Sequence, residues 1–150
     1  MKLLTGRQLV SHVQLEIQQC DCEGLAKALG QNAIVIDIRE ASEIIIGMVP
    51  GATHIPRGVL EMEITSHNSV KNTRNPIQTL GTQAIYLYCR SGARSALAAK
   101  SLCEMGLDNV WSVAGGFNDW QAQGWPVISN KEANVWEMDG LFAWEQGGGI

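Results

Sequence analysis

Three short runs of successive apolar residues limit what this chain can fold into more than any other feature. They are Ala33-Ile34-Val35-Ile36-Asp37, Ala84-Ile85-Tyr86-Leu87-Tyr88 and Val110-Trp111-Ser112-Val113. A strand with one wet face alternates polar and apolar residues. A strand that is apolar on both sides must be covered on both sides, which is the pattern of a parallel sheet held between helices. The intervening stretches supply those helices. Residues 5–12 pattern as helix and 15–18 as a short strand, and residues 22–29 form a helix begun by Asp21 and ended by Gly30. Residues 40–46 and 58–64 are helix-compatible, and residues 53–55 are extended. Residues 96–105 are rich in Ala and Leu and stop at Gly106, and Gly115-Gly116 turns the chain into a brief helix over 117–123. Strands alternating with helices in this way predict an α/β domain with a mainly parallel central sheet of about five strands and helices on both faces.

No repeat, low-complexity block or linker divides the chain. With 150 residues and 45% hydrophobic content it can bury one sizeable core, so a single active centre is expected. Residues 66–79, with Asn68, Asn72, Asn75 and Pro76, read as a surface connection. The domain is expected over residues 1–128, with 129–150 as a tail. In that tail Trp136, Leu141, Phe142 and Trp144 are expected to pack on the domain or a partner, while Gly147-Gly148-Gly149 is expected to be mobile.

A net charge of −4 argues against a nucleic-acid partner, which calls for a basic face. No apolar run approaches the roughly 18 residues of a membrane span, and the polar N-terminal sequence makes no signal-peptide core. A cytoplasmic protein without a membrane partner is the expectation. The four cysteines, at 20, 22, 89 and 103, lack the pattern of a disulfide-stapled secreted domain and are expected to be reduced. Cys20-Asp21-Cys22 has neither the spacing nor the further ligands of a structural zinc site, so no metal is expected and Asp21 reads as a helix cap.

The second apolar run leads directly into Cys89-Arg90-Ser91-Gly92-Ala93-Arg94-Ser95 and then into the strongest helix. A helix N-terminus presents unpaired N–H groups, and it is one of the few settings that favours a thiolate without a metal. Ser91, Gly92 and Ala93 allow the backbone to curl and aim successive amides inward, and Arg90 and Arg94 add positive charge. Such a cradle both favours an ionised Cys89 and binds an incoming anion, with Arg90, Ser91, Gly92, Ala93 and Ser95 as substrate-binding candidates and Cys89 and Arg94 as catalytic ones. In open parallel sheets the site lies beyond the carboxyl ends of the strands, where this loop falls.

The loop resembles the active-site loop of the rhodanese family. Asp37-Ile38-Arg39-Glu40 with Glu43, Gly47-Met48-Val49-Pro50-Gly51-Ala52 and His54-Ile55-Pro56 resembles the family's first characteristic segment. Gly115-Gly116-Phe117, Trp120 and Gly124-Trp125-Pro126-Val127 resembles its closing segment. The likeness spans residues 22–128 and implies a rhodanese-like fold and a thiosulfate sulfurtransferase-like activity, moving sulfane sulfur from thiosulfate or a persulfide donor to cyanide, a thiol or a protein acceptor through a Cys89 persulfide. It implies no metal or organic cofactor. Many relatives carry His where this chain has Met48, a difference read as affecting packing.

Two other readings stay open. The fold also hosts non-catalytic binding or sensing modules that lack the cysteine, and phosphatases or arsenate reductases whose loop is one residue longer. Here Arg94 follows Cys89 after four residues instead of five. Asp37 and Arg39 read as structural, pairing with each other or with neighbouring loops, and His54 reads as structural, while Arg57 faces either the pocket or solvent. Cys103 reads as core packing.

Overall fold

The computed structural model describes residues 2–129, so the tail expectations at Trp136, Leu141, Phe142, Trp144 and Gly147-Gly148-Gly149 lie outside the described residues. The chain runs through α1 (Gly6–Gln14), β1 (Gln18–Cys20), α2 (Cys22–Gly30), β2 (Ile34–Asp37), α3 (Ala41–Ile44) and β3 (Thr53–His54). It continues through α4 (Leu60–Glu63), α5 (Pro76–Leu80), β4 (Ile85–Tyr88), α6 (Ala93–Glu104), β5 (Val110–Val113) and α7 (Gly116–Ala122). The five strands form one sheet in the order β1-β5-β4-β2-β3, with every pairing parallel.

All four residues of β2 are buried, as an apolar run without alternation requires. Its side chains divide between the two faces by strand geometry. Ile34 and Ile36 join Ile85 and Leu87 of β4 beneath Leu60 of α4, Leu80 of α5 and Ala98, Ala99 and Leu102 of α6. Val35 and Tyr88 point the other way, to Leu25 of α2, Ile44 of α3 and Phe117 and Trp120 of α7. Fully burying a side chain of the Val, Leu or Ile kind contributes about 1.5–3 kcal/mol, so these two layers fix the sheet between its helices.

The structure corrects several expectations. The first strand lies at Gln18–Cys20, not 15–18, because α1 runs on to Gln14 and Leu15 caps it with its N–H on His12 and Val13 carbonyls, leaving the Leu15 side chain exposed. Residues 58–64 do not make one helix. Arg57–Val59 and Ile64–Ser66 are 3-10 turns flanking the four-residue α4. The segment 66–79 is more than a surface connection, since Val70 is fully buried and Asn75 caps α5 with Pro76 in its first turn. Asp21 accepts the Gly24 N–H at 2.9 Å and so begins α2 as expected. Cys103 is exposed and not part of the core, because α6 turns Ser95, Ala96, Ala98, Ala99 and Leu102 inward and Cys103 falls beyond that face. No helix among the described residues is long and apolar enough to cross a membrane.

Candidate functional site

Helix α6 begins at Ala93, three residues earlier than its Ala- and Leu-rich stretch suggests, so Ala93, Arg94 and Ser95 belong to its first turn. The connection from β4 is then only Cys89, Arg90, Ser91 and Gly92. Gly92 has φ +104°, a left-handed conformation that side chains rarely adopt, and this reversal brings the helix N-terminus back over Cys89. The Gly92 N–H donates to Cys89 Sγ at 3.2 Å and the Ser95 N–H donates to it at 3.4 Å. Ser95 Oγ lies 3.6 Å from the sulfur.

A second helix end holds the loop from below. The N–H groups of Phe117 and Asn118, in the first turn of α7, donate to the carbonyls of Cys89 at 2.9 Å and Arg90 at 3.0 Å. Those carbonyls therefore face α7 and the amides that follow face the sulfur. The approach is close. A Cβ on Gly116 would stand 2.5 Å from the Cys89 carbonyl oxygen, so only glycine fits there without moving the loop.

Cys89 is only 1% exposed, and burial pushes its thiol pKa up. Hydrogen bonds from the Ser95 side chain and from the Ser95, Gly92 and Ser91 amides outweigh burial, and the net position is below the ordinary thiol value. A hydrogen bond to an ionised acceptor contributes about 1.5–3 kcal/mol, and several converge on one sulfur. The arrangement can hold a negative charge on sulfur without a metal ion.

The two arginines of the loop have different surroundings. Arg94 is clamped by Glu43, with Nη1 and Nη2 donating to the two carboxylate oxygens at 2.7 and 2.8 Å. That clamp holds the Glu43 carboxyl down to about 2. Glu43 is itself fixed, because its Oε2 accepts the Glu40 N–H at 2.8 Å. Arg90 is exposed, as are Ser91 and Ala93, so these three form the outer lip of the loop while Gly92 and Ser95 form its buried floor.

The sequence matches the rhodanese-like domain over residues 21–123. The chain belongs to the rhodanese-like domain family. A sulfurtransferase of Allochromatium vinosum is 28% identical over 115 residues, which cover 75% of this chain and 96% of that protein. The thiosulfate sulfurtransferase GlpE of Actinobacillus succinogenes is 30% identical over 97 residues, 65% of this chain and 77% of that one. Among solved structures, a Rhodopseudomonas palustris protein of unknown function, described as a possible tyrosine phosphatase, aligns with a TM-score of 0.69 at 29% identity, covering 85% of this chain and 97% of that chain.

In this rhodanese-like domain all seven residues of the 89–95 segment meet at one place, and two further residues join them that the sequence did not assign to the site chemistry. Glu43 was visible as part of a motif, but its grip on Arg94 spans 51 positions. Ser112, a lone polar residue in an apolar strand, lies with its Oγ 2.7 Å from that of Ser95. Asp37 and Arg39 form a buried ion pair at 2.7 Å, and Arg57 pairs with Glu61 at 2.9 Å. Met48 is buried and its backbone pairs with Ile128, so that position serves packing.

His54 is buried, with Nε2 2.7 Å from the Arg39 carbonyl and Nδ1 without a hydrogen-bond partner among the described residues. Burial depresses its pKa below the usual 6.5. The unfolded chain therefore binds a proton that the folded chain resists. Stability is complete above pH 6.5 and falls as the pH drops below that value toward the depressed one. Burial acts on His67 in the same direction. Urea unfolding at pH 7.5 and 5.5 should show this loss, and His54→Gln should make it smaller. An equal loss in that variant would remove His54 as a source.

Proposed function

We propose that this rhodanese-like domain is a sulfurtransferase that carries sulfane sulfur as a persulfide on Cys89. The observation that carries this reading is the convergence of the Gly92 and Ser95 amides on Cys89 Sγ. The sulfurtransferase names of its relatives support it. With thiosulfate as donor, the Cys89 thiolate attacks the outer sulfur, forming a new S–S bond. The old S–S bond breaks and its electron pair leaves on sulfite. A nucleophile, such as cyanide, a small thiol or a protein cysteine, then attacks the terminal sulfur of the persulfide. The Sγ–S bond breaks and its electron pair returns to Cys89.

Sγ lies just beneath the loop, so the added outer sulfur is the atom that extends toward an acceptor. Amides over 91–95 hold its charge, and exposed Arg90 receives the donor's oxyanion at the lip, with Arg94 behind it. The proposed catalytic unit is residues 1–128. No step requires a metal or organic cofactor. Four free cysteines suit a reducing, cytoplasmic setting.

The description of the Rhodopseudomonas structure as a possible tyrosine phosphatase supports a second reading, Cys89-dependent phosphate ester hydrolysis. The short loop speaks against it, because both Nη atoms of Arg94 are engaged by Glu43 and the amides already converge tightly on Sγ. A panel of thiosulfate, mercaptopyruvate, glutathione persulfide and an aryl phosphate separates the two. Sulfur release with no phosphate release supports sulfur transfer, and the reverse overturns it. A non-catalytic binding module would turn over none of them.

Glu43 cancels much of the Arg94 charge beside the sulfur. Glu43→Gln keeps the shape of the contact and leaves the guanidinium uncompensated. The expected result is a rise of about three- to tenfold in kcat/KM for dianionic thiosulfate at low salt, shrinking as salt is added. A kcat/KM that does not respond would take the Arg94–Glu43 pair out of donor binding.

A further inference from the structure

Ser95 touches the reacting sulfur, and something must decide which way its hydroxyl proton points. Among the described residues Ser95 Oγ has two side-chain hydrogen-bond partners, Cys89 Sγ at 3.6 Å and Ser112 Oγ at 2.7 Å. Both serines are fully buried, Ser95 on α6 and Ser112 on the adjacent strand β5. Among the described residues Ser95 is the sole hydrogen-bond partner of the Ser112 hydroxyl.

Two hydroxyl protons then have two possible directions. If Ser112 donates to Ser95, the Ser95 proton is free to donate to an ionised sulfur and every proton in the chain is used. With the order reversed, the Cys89 thiol donates to Ser95 and Ser95 donates to Ser112. The Ser112 proton is then left, in a fully buried site, without a hydrogen-bond acceptor among the described residues. An unsatisfied buried donor costs about 1–3 kcal/mol, so the first direction is favoured, and it is the one that matches a thiolate. Hydrogen bonds in a buried chain also polarise one another, so a Ser95 hydroxyl that accepts from Ser112 is a stronger donor to sulfur.

We propose that Ser112 is a positioning residue of the sulfur-transfer site, acting through Ser95 to aim the Ser95 hydroxyl proton at Cys89 Sγ. The inference rests on the reading of Cys89 as the sulfur nucleophile. It adds a residue from outside the 89–95 segment, on the neighbouring strand, and extends the cradle from backbone amides to a two-hydroxyl relay. The same relay serves the persulfide step, since the Sγ leaving group becomes a thiolate again as the acceptor takes the outer sulfur.

The test is a thiolate titration of the resting protein, followed by ultraviolet absorbance and corrected with Cys89→Ser. Burial pushes Cys20 and Cys22 up to about 11 and pushes Cys103 upward as well, so a thiolate titrating below 9.0 belongs to Cys89. Ser95→Ala removes a donor to the charged sulfur and should raise the midpoint by about one pH unit. Ser112→Ala should raise it by about half a unit, and Ser112→Thr, which keeps the hydroxyl, should restore it.

The double variant Ser95→Ala/Ser112→Ala decides the matter, because a residue that acts only through Ser95 has nothing to act on once Ser95 is gone. Its midpoint should equal that of Ser95→Ala alone. An unchanged midpoint in Ser112→Ala overturns the proposal. So does a Ser112→Ala shift that persists in full in the Ser95→Ala background, and so does a lowered unfolding midpoint with an unaltered titration. These outcomes are read without a sulfur donor. A protein that ionises as described but transfers no sulfur would refute the proposed activity and leave the Ser112 result standing.

Discussion

Cys89→Ser is expected to abolish sulfur transfer with every donor, lowering turnover by about a thousandfold or more, because a serine hydroxyl at neutral pH is not ionised and an oxygen cannot carry the sulfane sulfur as a persulfide. The fold should persist. The replacement is smaller and offers an oxygen to the same Gly92 and Ser95 amides, so urea unfolding should move by no more than about 1 kcal/mol. Normal activity in that variant removes Cys89 from the chemistry. Loss of activity with a matching collapse in stability shows only that the variant is unfolded, and Cys89→Ala then separates the two effects.

The second large effect lies one layer deeper. Arg39 is buried at 1% exposure, with Nε and Nη2 donating to the Asp37 carboxylate, Nη2 also reaching the Gly47 carbonyl at 2.7 Å and Nη1 the Glu43 carbonyl at 3.3 Å. Its guanidinium stacks 4.1 Å from the centre of the Phe117 ring, and the Tyr88 hydroxyl donates to Asp37 at 2.6 Å. Asp37→Ala would leave a buried cation without its partner and the Tyr88 hydroxyl without its acceptor. Breaking a buried pair from one side costs about 3–5 kcal/mol, a large share of the stability of a domain this size. Guanidinium unfolding measures it, and a loss under about 1 kcal/mol would contradict this role. Asp37→Leu/Arg39→Met, which removes both charges, should be markedly less destabilising than Asp37→Ala.

That buried pair also bears on the site. Arg39 holds the backbone of the turn that carries Glu43, and Glu43 holds Arg94, so a change at Asp37 reaches the mouth of the cradle through three hydrogen-bonded steps. The structural role of Asp37 and Arg39 was legible in the sequence because ion pairs are common at strand ends, while the choice between pairing with each other and with neighbouring loops came from the structure. Glu43 and Ser112 were harder to assign because their decisive contacts join residues 51 and 17 positions apart, and no local spacing reports such a contact.

The three central strands were legible for a plain reason. An uninterrupted apolar run must be buried on both faces, and Ile34–Asp37, Ile85–Tyr88 and Val110–Val113 lie within a residue of where those runs placed them. Strand β1 was misplaced because two or three residues at a sheet edge carry almost no pattern. The start of α6 was read late because Ala93-Arg94-Ser95 looked like loop, whereas the left-handed turn is completed by Gly92 alone. Helix α5 hid in a polar segment, although Asn75-Pro76 is an ordinary cap followed by proline in the first turn.

The most direct test is the mass of the Cys89-containing peptide after the full chain has been exposed to thiosulfate and digested without a reductant. One added sulfur on Cys89, removed by cyanide with release of thiocyanate, is the expected result. A Cys89 peptide of unchanged mass while sulfur is still being transferred, or an added sulfur found only on Cys103, would contradict it.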